Sequence, residues 1–566
     1  MQRIVLSRAK YPIQVPGFFF FFFSFFFFFF ILSPMPTAAF SYDQVPYLNR
    51  THVRTHPDRL ATIGALLGLD PAPLDHCRVL ELGCANGHNL LSMALNLPGS
   101  TFVGVDLSAR QVADGQAAIA DLGLTNLTLR HASILDVDET FGQFDYILCH
   151  GVYSWVEAAV QDKILALCRD HLSPQGVAYI SYNTFPGWHD KLRVREMVLH
   201  HVRHVPDARE RIRKSREYVK LLADLVAPAD SEELTPYGAS LRGEAELVAG
   251  QDDDYIFHEY LEDSNWPIYF HEFAARVEKH DLAYLADADR GLKTLETFMP
   301  HAAEIARRTT TGLVEFEQFF DFLSNRTFRS SLLVHAGAPI DRAVTGQRLR
   351  GLFVRSALRP TDPEADLSRA MFDSYMAEGS PNTYSTSHPV TKAALQVLAN
   401  AHPRALPFTE LTAQACALAY ADPAMAQSRV LLAREGDALG LNLLQGYTYD
   451  STLIDLHSFG PALAVLPGER PTALPSARFQ ALYSHNVANP YHHHIQLDTL
   501  SWYLLPFLDG TQDRASLAGL VLANQTLAIE KGGEELTDPE QKQAATLDKV
   551  DTCLHNLAHL GLLIDG

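Results

Sequence analysis

Between Val79 and Asp106 the chain reads VLELGCANGHNLLSMALNLPGSTFVGVD, a stretch that few folds can use. An apolar run passes into a turn holding Gly83 and Gly87, a helical stretch follows, and a second apolar run ends on a lone carboxylate, Asp106. Glycines let the backbone turn sharply and let a ligand come close. The helix behind them offers unpaired N–H groups and a partial positive charge. A carboxylate about twenty residues further on accepts hydrogen bonds from ribose hydroxyls. The pattern predicts a nucleotide-binding β–α–β unit. Its dinucleotide form needs G-x-G-x-x-G, whereas the turn here is E-L-G-C-A-N-G.

Downstream segments extend the unit into a sheet. Gln143 to Val156 (QFDYILCHGVYSWV) reads as a buried strand and its exit loop, broken at His150-Gly151. Leu129 to Asp136 supplies a short strand with a polar tip. Leu172 to Gly176 reads as a turn before the strand VAYISYN, and helical stretches at Ala109–Leu122 and Val160–His171 separate the strands. Alternating strands and helices imply a parallel sheet covered on both faces. Ligands in such sheets bind at the carboxyl ends of the strands, where strand order reverses.

At 566 residues the chain has room for three or four domains of ~150 residues. A net charge of −20 disfavours nucleic acid, because phosphate binding wants a basic face. The basic run Arg209–Arg216 reads as a solvated helix face. The six cysteines, Cys77, Cys84, Cys149, Cys168, Cys416 and Cys553, form no C-x-x-C pair, so they signal neither zinc nor a disulfide framework and read as thiols in a reducing compartment. Phe18 to Phe30 is phenylalanine broken only by Ser24. It reads as a secretion signal, as a membrane anchor shorter than the ~20 residues a span needs, or as an artefact of start-site choice with Met35 as the first residue. The last reading is preferred, with a cytoplasmic protein and no stable membrane insertion.

An acid two places before the first glycine, here Glu81, is the form seen in S-adenosylmethionine-dependent methyltransferases of the Rossmann-like class. Ala85 stands where their fuller G-x-G-x-G pattern has its middle glycine, and its small side chain is expected to be tolerated. The strings YDQVPY from Tyr42, HPDRLATIGALLGL, RVLELGCANGHNLLSMA, VGVDLS, CHGVYSWV and YNTFPGWH together resemble one bacterial family, the class I methyltransferases that carry a methyltransferase regulatory domain. Within it the chain is similar to the rickettsial outer-membrane-protein lysine methyltransferases. DDYIFHEYLEDSNWPIYFHEF resembles the start of the regulatory domain and FEQFFDFLSNRTFRSSLLVH its end.

This resemblance implies S-adenosyl-L-methionine as cofactor and an α/β fold. A Rossmann-like domain at 79–190 would be preceded by a poly-Phe segment at 1–34 and a cap at 35–78. A helical linker would follow at 191–243, a mainly helical regulatory domain at 244–335 and a linker at 336–382. A winged-helix-like α+β domain would close the chain at 383–566. The charged stretch Asp190–Val226 reads as a bridge between domains or a subunit-pairing surface, which leaves a homodimer open. The backbone of Gly83, Cys84 and Gly87 is expected against the methionine part of the cofactor, and Glu81 on the loop or the amino group. Asp106 is expected on the ribose hydroxyls, Leu107 beside the adenine, and Ser133 and Ile134 at the adenine edge. His150 would lie near the carboxylate or sulfonium, or simply close its turn. Tyr42 and Tyr47 would form a lid, or pack on the first helix.

Methyl transfer to a lysine needs a positioned, neutral amine. Aromatic walls lower an amine pKa by desolvation and attract cations through their faces. Tyr153, Trp155, Tyr182, Phe185 and Trp188 fit that need, with Tyr182 and Asn183 to orient the amine; packing under the following helix is the competing reading. Two of the chain's 4 tryptophans stand on these tips. Enzymes that methylate DNA-base amines place [DN]-P-P-[YF] after the fourth strand, where this chain has Cys149-His150-Gly151-Val152-Tyr153. His258, His271 and Glu272 lack H-E-x-x-H spacing, and the adjacent histidines His492, His493 and His494 alternate faces, so no metal is expected. The reading is therefore a methyltransferase acting on a protein amine. Its alternatives are a small-molecule methyltransferase with access-controlling domains and a cofactor-binding regulator without turnover.

Overall fold

Five apolar segments become parallel strands in the order the sequence spaces them: β1 (Arg78–Leu82), β2 (Thr101–Asp106), β3 (Leu127–His131), β4 (Phe144–Cys149) and β5 (Leu172–Asn183). β6 (Leu282–Asp287) and β7 (Phe328–His335) complete a seven-stranded sheet of order β3-β2-β1-β4-β5-β7-β6, with β7 antiparallel to both neighbours. The computed structural model describes residues 4–6, 45, 50–226, 234–289, 299–362, 370–524, 527–531, 534–535 and 538–565; the phenylalanine run, Tyr42 and Tyr47 lie outside them. β1 pairs with β2 on one side and β4 on the other. That reversal is the switch point where a ligand crevice forms.

Helices cover both faces. α1 (Pro57–Leu66), α2 (His88–Asn96) and α3 (Ala109–Asp121) pack with β1 and β2 around a core holding Leu60, Val79, Leu90 and Phe102. α4 (Ala158–His171) buries Ile164 and Leu167 against Leu80, Ile147 and Ile180. The expected turn at Leu172–Gly176 is instead the entry to β5, with a register irregularity opposite Phe144–Tyr146. The bulge absorbs the polar residues there and the strand continues.

The expected helical linker at 191–243 shares a core with the elements on either side of it. α5 (Trp188–Val202), α6 (Ala208–Val226) and α7 (Pro236–Gly250) bury Val198, Ile212, Val219 and Leu241 together with Phe257 and Tyr260. The region 244–335, expected as a mainly helical domain of its own, divides. Its first part packs in that helical core, α8 (Phe270–Lys279), α9 (Pro300–Thr309) and α10 (Leu313–Ser324) follow, and β6 and β7 belong to the methyltransferase sheet.

The remainder also divides differently from expectation. Residues 336–382 do not act only as a linker, because Leu349, Val354 and Leu358 enter a core built on α11 (Pro389–Ala401), α12 (Phe408–Ala419) and α13 (Arg429–Tyr449). In this middle domain the strand Phe353–Arg355 pairs with Leu406–Pro407 and Asp455–His457. A final core gathers α14 (Pro475–Ala481), α15 (Arg514–Ala523) and α16 (Pro539–His559). All six cysteines are buried and unpaired. Among the described residues no helix is long and apolar enough to cross a membrane.

Candidate active site

The turn after β1 is held by its neighbours. The Gly83 and Cys84 N–H groups donate to the Val105 carbonyl at 2.8 and 3.1 Å. Gly83 has φ +75°, and a Cβ there would stand 2.4 Å from Val152 Cγ2. Gly87 has φ +73° and its Cβ would meet Leu129 at 2.7 Å. Ala85 has φ +51°, so its small side chain does not make the site cost-free: an L-residue in the left-handed region costs ~1 kcal/mol or more. Asp106 opposes that cost. Its Oδ2 accepts from Ala85 N at 2.7 Å and its Oδ1 from Ser108 N at 2.8 Å.

Glu81 is buried at the base of the turn. Its Oε1 accepts from Asn89 Nδ2 at 2.9 Å, whereas Oε2 is buried with no hydrogen-bond partner in the protein. Burial pushes the Glu81 carboxyl up to about 8; the bond from Asn89 opposes the rise and Asp106 adds to it. Asn89 also donates to Thr55 Oγ1 at 3.0 Å and accepts from His52 N at 3.1 Å, tying the segment before α1 to the turn.

A cavity of about 450 Å³ opens at these strand tips. Of the residues read from the sequence, Glu81, Gly83, Cys84, Asp106, Leu107, Ser133, Ile134 and His150 line it; Gly87 stands just behind, at the N-cap of α2. Leu107 is half exposed, at 53%. Ser133 Oγ accepts from Leu135 N at 3.2 Å and Asp136 Oδ2 accepts from Ser133 N at 3.3 Å, so both side chains cap the short turn that Ile134 opens. His150 Nδ1 lies 2.9 Å from the Tyr179 hydroxyl and 3.3 Å from Ser181 Oγ. Burial, with Arg54 nearby, holds His150 down at about 4. It is a neutral histidine that both closes its turn and faces the cavity.

The expected aromatic set separates. Trp155 and Asn183 line the cavity. Asn183 Nδ2 is buried without a hydrogen-bond partner. Tyr153 and Tyr182 are core side chains instead, packed edge-on and face-on against Phe273. The Tyr182 hydroxyl lies 3.0 Å from Ser331 Oγ on β7. Adjacent residues of a strand point to opposite faces, so Asn183 can face the cavity only if Tyr182 faces away. Trp188 is buried behind Trp155 in an edge contact at 6.3 Å and does not line the cavity. Phe185 stacks on His189 at 4.2 Å, also outside it.

Two wall residues come from the region after Gly250: Glu259, in the π-turn Phe257–Leu261, and Phe328 at the start of β7. Sequence reading passed over Glu259, although it lies within the block DDYIFHEYLEDSNW. Its carboxylate is mostly buried, 3.8 Å from Lys191 Nζ. Burial raises the Glu259 carboxyl, and Lys191 and Arg195 oppose that rise. Lys191 donates to the Tyr255 hydroxyl at 2.7 Å and lies over the Trp188 and Tyr255 rings at 5.3 Å each. Arg50 and His52 also reach the cavity, with no motif to mark them.

The metal candidates have other roles here. His258 Nδ1 lies 2.9 Å from Glu262, Glu272 caps α8 through Tyr269 N, and His271 lies 3.0 Å from Gln318. His492 is buried against His56 at 4.5 Å, while His493 Nδ1 accepts from Arg355 at 3.1 Å.

Residues that could hold a nucleoside with an amino-acid tail are therefore gathered at one crevice. Glu81 Oε2 fits such a tail, because an ammonium would supply the donor it lacks.

Residues 80–178 match the family model of a methyltransferase domain, residues 252–335 that of a "predicted methyltransferase regulatory domain", and residues 469–562 that of the PKMT C-terminal winged helix domain. The uncharacterized protein RP789 of Rickettsia prowazekii is 34% identical over 507 residues, covering 88% of each chain. A second protein of that organism, RP028, is 43% identical over 243 residues, 43% of this chain and 96% of its own. The structure of PKMT2 from Rickettsia typhi in complex with AdoHcy superposes with a TM-score of 0.79 at 32% identity, covering 92% of this chain and 100% of that one. A further structure of that PKMT2 gives 0.78 at 31% identity over the same shares. The chain thus belongs to the class I S-adenosylmethionine-dependent methyltransferases that carry a methyltransferase regulatory domain and the PKMT winged helix domain.

Proposed function

We propose that the protein transfers a methyl group to a lysine of a polypeptide, in the cytoplasm. The observation that carries this reading is Glu259. A buried carboxylate paired with Lys191 stands in the wall of the cofactor cavity, along with Trp155 and Asn183. That wall suits an amine: a π face, an amide and a carboxylate that attracts and then relieves a proton. The likeness to PKMT2, and the resemblance of the motif strings to the rickettsial lysine methyltransferases, support the same class.

In this reading Asp106 receives the ribose hydroxyls, Glu81 the ammonium of the cofactor, and Leu107 with Ile134 flanks the adenine. The bound cofactor supplies a methyl already activated on sulfonium. The protein's part is alignment and exclusion of water. Asn183 orients the amine, Trp155 shields it, and Glu259 takes the proton the amine must lose. Lys191 opposes the rise that burial gives that carboxyl and places positive charge near the amine, which favours its neutral form. The middle and winged-helix domains position the polypeptide.

The test is methyl-labelled S-adenosylmethionine added to the protein and a lysate. Label in the protein fraction, removed by chemically blocking lysines beforehand, is the expected result. Glu259→Gln is expected to lower kcat by ~10²–10⁴, the usual range for a general base, with unchanged S-adenosylhomocysteine affinity. Label confined to small molecules would overturn the reading in favour of a small-molecule acceptor. Cofactor binding without any transfer would favour a regulator.

A further inference from the structure

A second cavity of about 450 Å³ lies where α1, the segment after β6 and the middle domain meet. It shares a wall with the cofactor cavity: Arg50 and His52 face the first, whereas Arg54 and Arg59 face the second. Three guanidiniums reach this space, Arg54 and Arg59 from the methyltransferase side and Arg355 from the middle domain. His457 lies among them, between the carboxylates of Asp58 and Asp455.

The carboxylates here are already engaged. Asp58 Oδ1 accepts from Ser458 N at 2.6 Å and from its hydroxyl at 2.8 Å, and Asp58 Oδ2 faces His457 Nδ1 at 2.7 Å. Asp455 Oδ2 meets Arg355 at 2.8 Å and His457 Nε2 at 3.0 Å. Asp289 pairs with Arg54 at 2.7 Å, a half-exposed pair at the rim. Arg59 has neutral acceptors: the Ala288 and Asp289 carbonyls and the Tyr447 hydroxyl. The Arg355 guanidinium rests on the Tyr491 ring at 4.8 Å, which fixes its plane. Three guanidiniums from two domains thus converge on one cavity whose carboxylates already have their donors. Of the three guanidiniums, Arg59 has neutral acceptors only, and a small anion would give it a charged one.

We propose that this second cavity binds a small oxyanion, a carboxylate- or phosphate-bearing metabolite, held by Arg54 and Arg59 on one wall and Arg355 on the other. Guanidiniums suit such groups because their planar forks match two oxygens at once. A ligand gripped from both sides bridges the methyltransferase and middle domains.

The test is isothermal titration of the full chain, saturated with S-adenosylhomocysteine so that the first cavity is filled. The titrants are inorganic phosphate and, separately, citrate, at constant ionic strength. Saturable binding of one anion per chain is expected for at least one of them, and the one that binds identifies the phosphate or carboxylate source. Arg59→Gln and Arg355→Gln are each expected to weaken it about tenfold or more, the loss of a charge-assisted bond. Arg355 also supports Asp455, so Arg54→Gln at the half-exposed rim provides a variant that leaves the buried cluster intact. No saturable binding of either anion, or equal affinity in all three variants, would overturn the proposal.

Discussion

Asp106→Ala removes the carboxylate on which the proposed cofactor site is centred, and its effect can be worked from the structure. That carboxylate already accepts Ala85 N at 2.7 Å and Ser108 N at 2.8 Å. In the proposed complex it also accepts two ribose hydroxyls. A hydrogen bond to a charged group contributes ~1.5–3 kcal/mol, so the two ribose bonds amount to about 3–6 kcal/mol. At ~1.4 kcal/mol per factor of ten, S-adenosylhomocysteine should bind about a hundredfold to ten-thousandfold more weakly. The bond to Ala85 N adds to the loss, because it holds a residue at φ +51° in the shape the ligand meets. Asp106→Asn, which keeps one acceptor oxygen, should fall between. The assay is titration calorimetry with S-adenosylhomocysteine, on variants first checked for cooperative unfolding. A loss below tenfold in Asp106→Ala would refute the assignment of the ribose to this residue.

Three further outcomes follow from named groups. Trp155→Ala should lower turnover with little change in cofactor affinity, whereas Trp188→Ala, a buried residue behind it, should chiefly destabilise the fold by ~3–5 kcal/mol in thermal or denaturant unfolding. Glu81 is protonated in the free protein at neutral pH, since burial raises it to about 8; pairing with a ligand ammonium should ionise it, so calorimetric binding enthalpies should vary with buffer ionisation enthalpy in the wild type and not in Glu81→Gln. Burial disfavours the His457 cation, but Asp455 and Asp58 outweigh it and raise His457 to about 8. Its folded value lies above the ordinary one, so its contribution of about 2 kcal/mol is fully present below about pH 6.5 and is lost as pH rises through about 8. The unfolding midpoint of the wild type should fall across that window more steeply than that of His457→Gln, and parallel curves would exclude a charged His457 between Asp58 and Asp455.

Much of the sheet was legible because its strands are short apolar runs with turn residues at their ends. Gly83, Gly87 and Asp106 announced the crevice through spacing alone. β6 and β7 were not legible: they lie far along the chain among helices, and only long-range pairing with β5 makes them part of the same sheet. Tyr182 and Asn183 carry the opposite lesson. Their alternation was available from the sequence, and it forbids both from facing one cavity. Ala85 could be judged by size from its letter but not by backbone angle. Glu259 gave no signal of its own, because its place in the wall depends on a π-turn and on how that turn packs against α5.

The proposed reaction is methyl transfer to lysine at this cavity. Its most direct measurement is recovery of the transferred label after complete acid hydrolysis of the labelled protein fraction. Methylated lysine is expected as the labelled amino acid in the wild type, reduced in Glu259→Gln and lost in Asp106→Ala. Label recovered on another amino acid, or only outside protein, would contradict it.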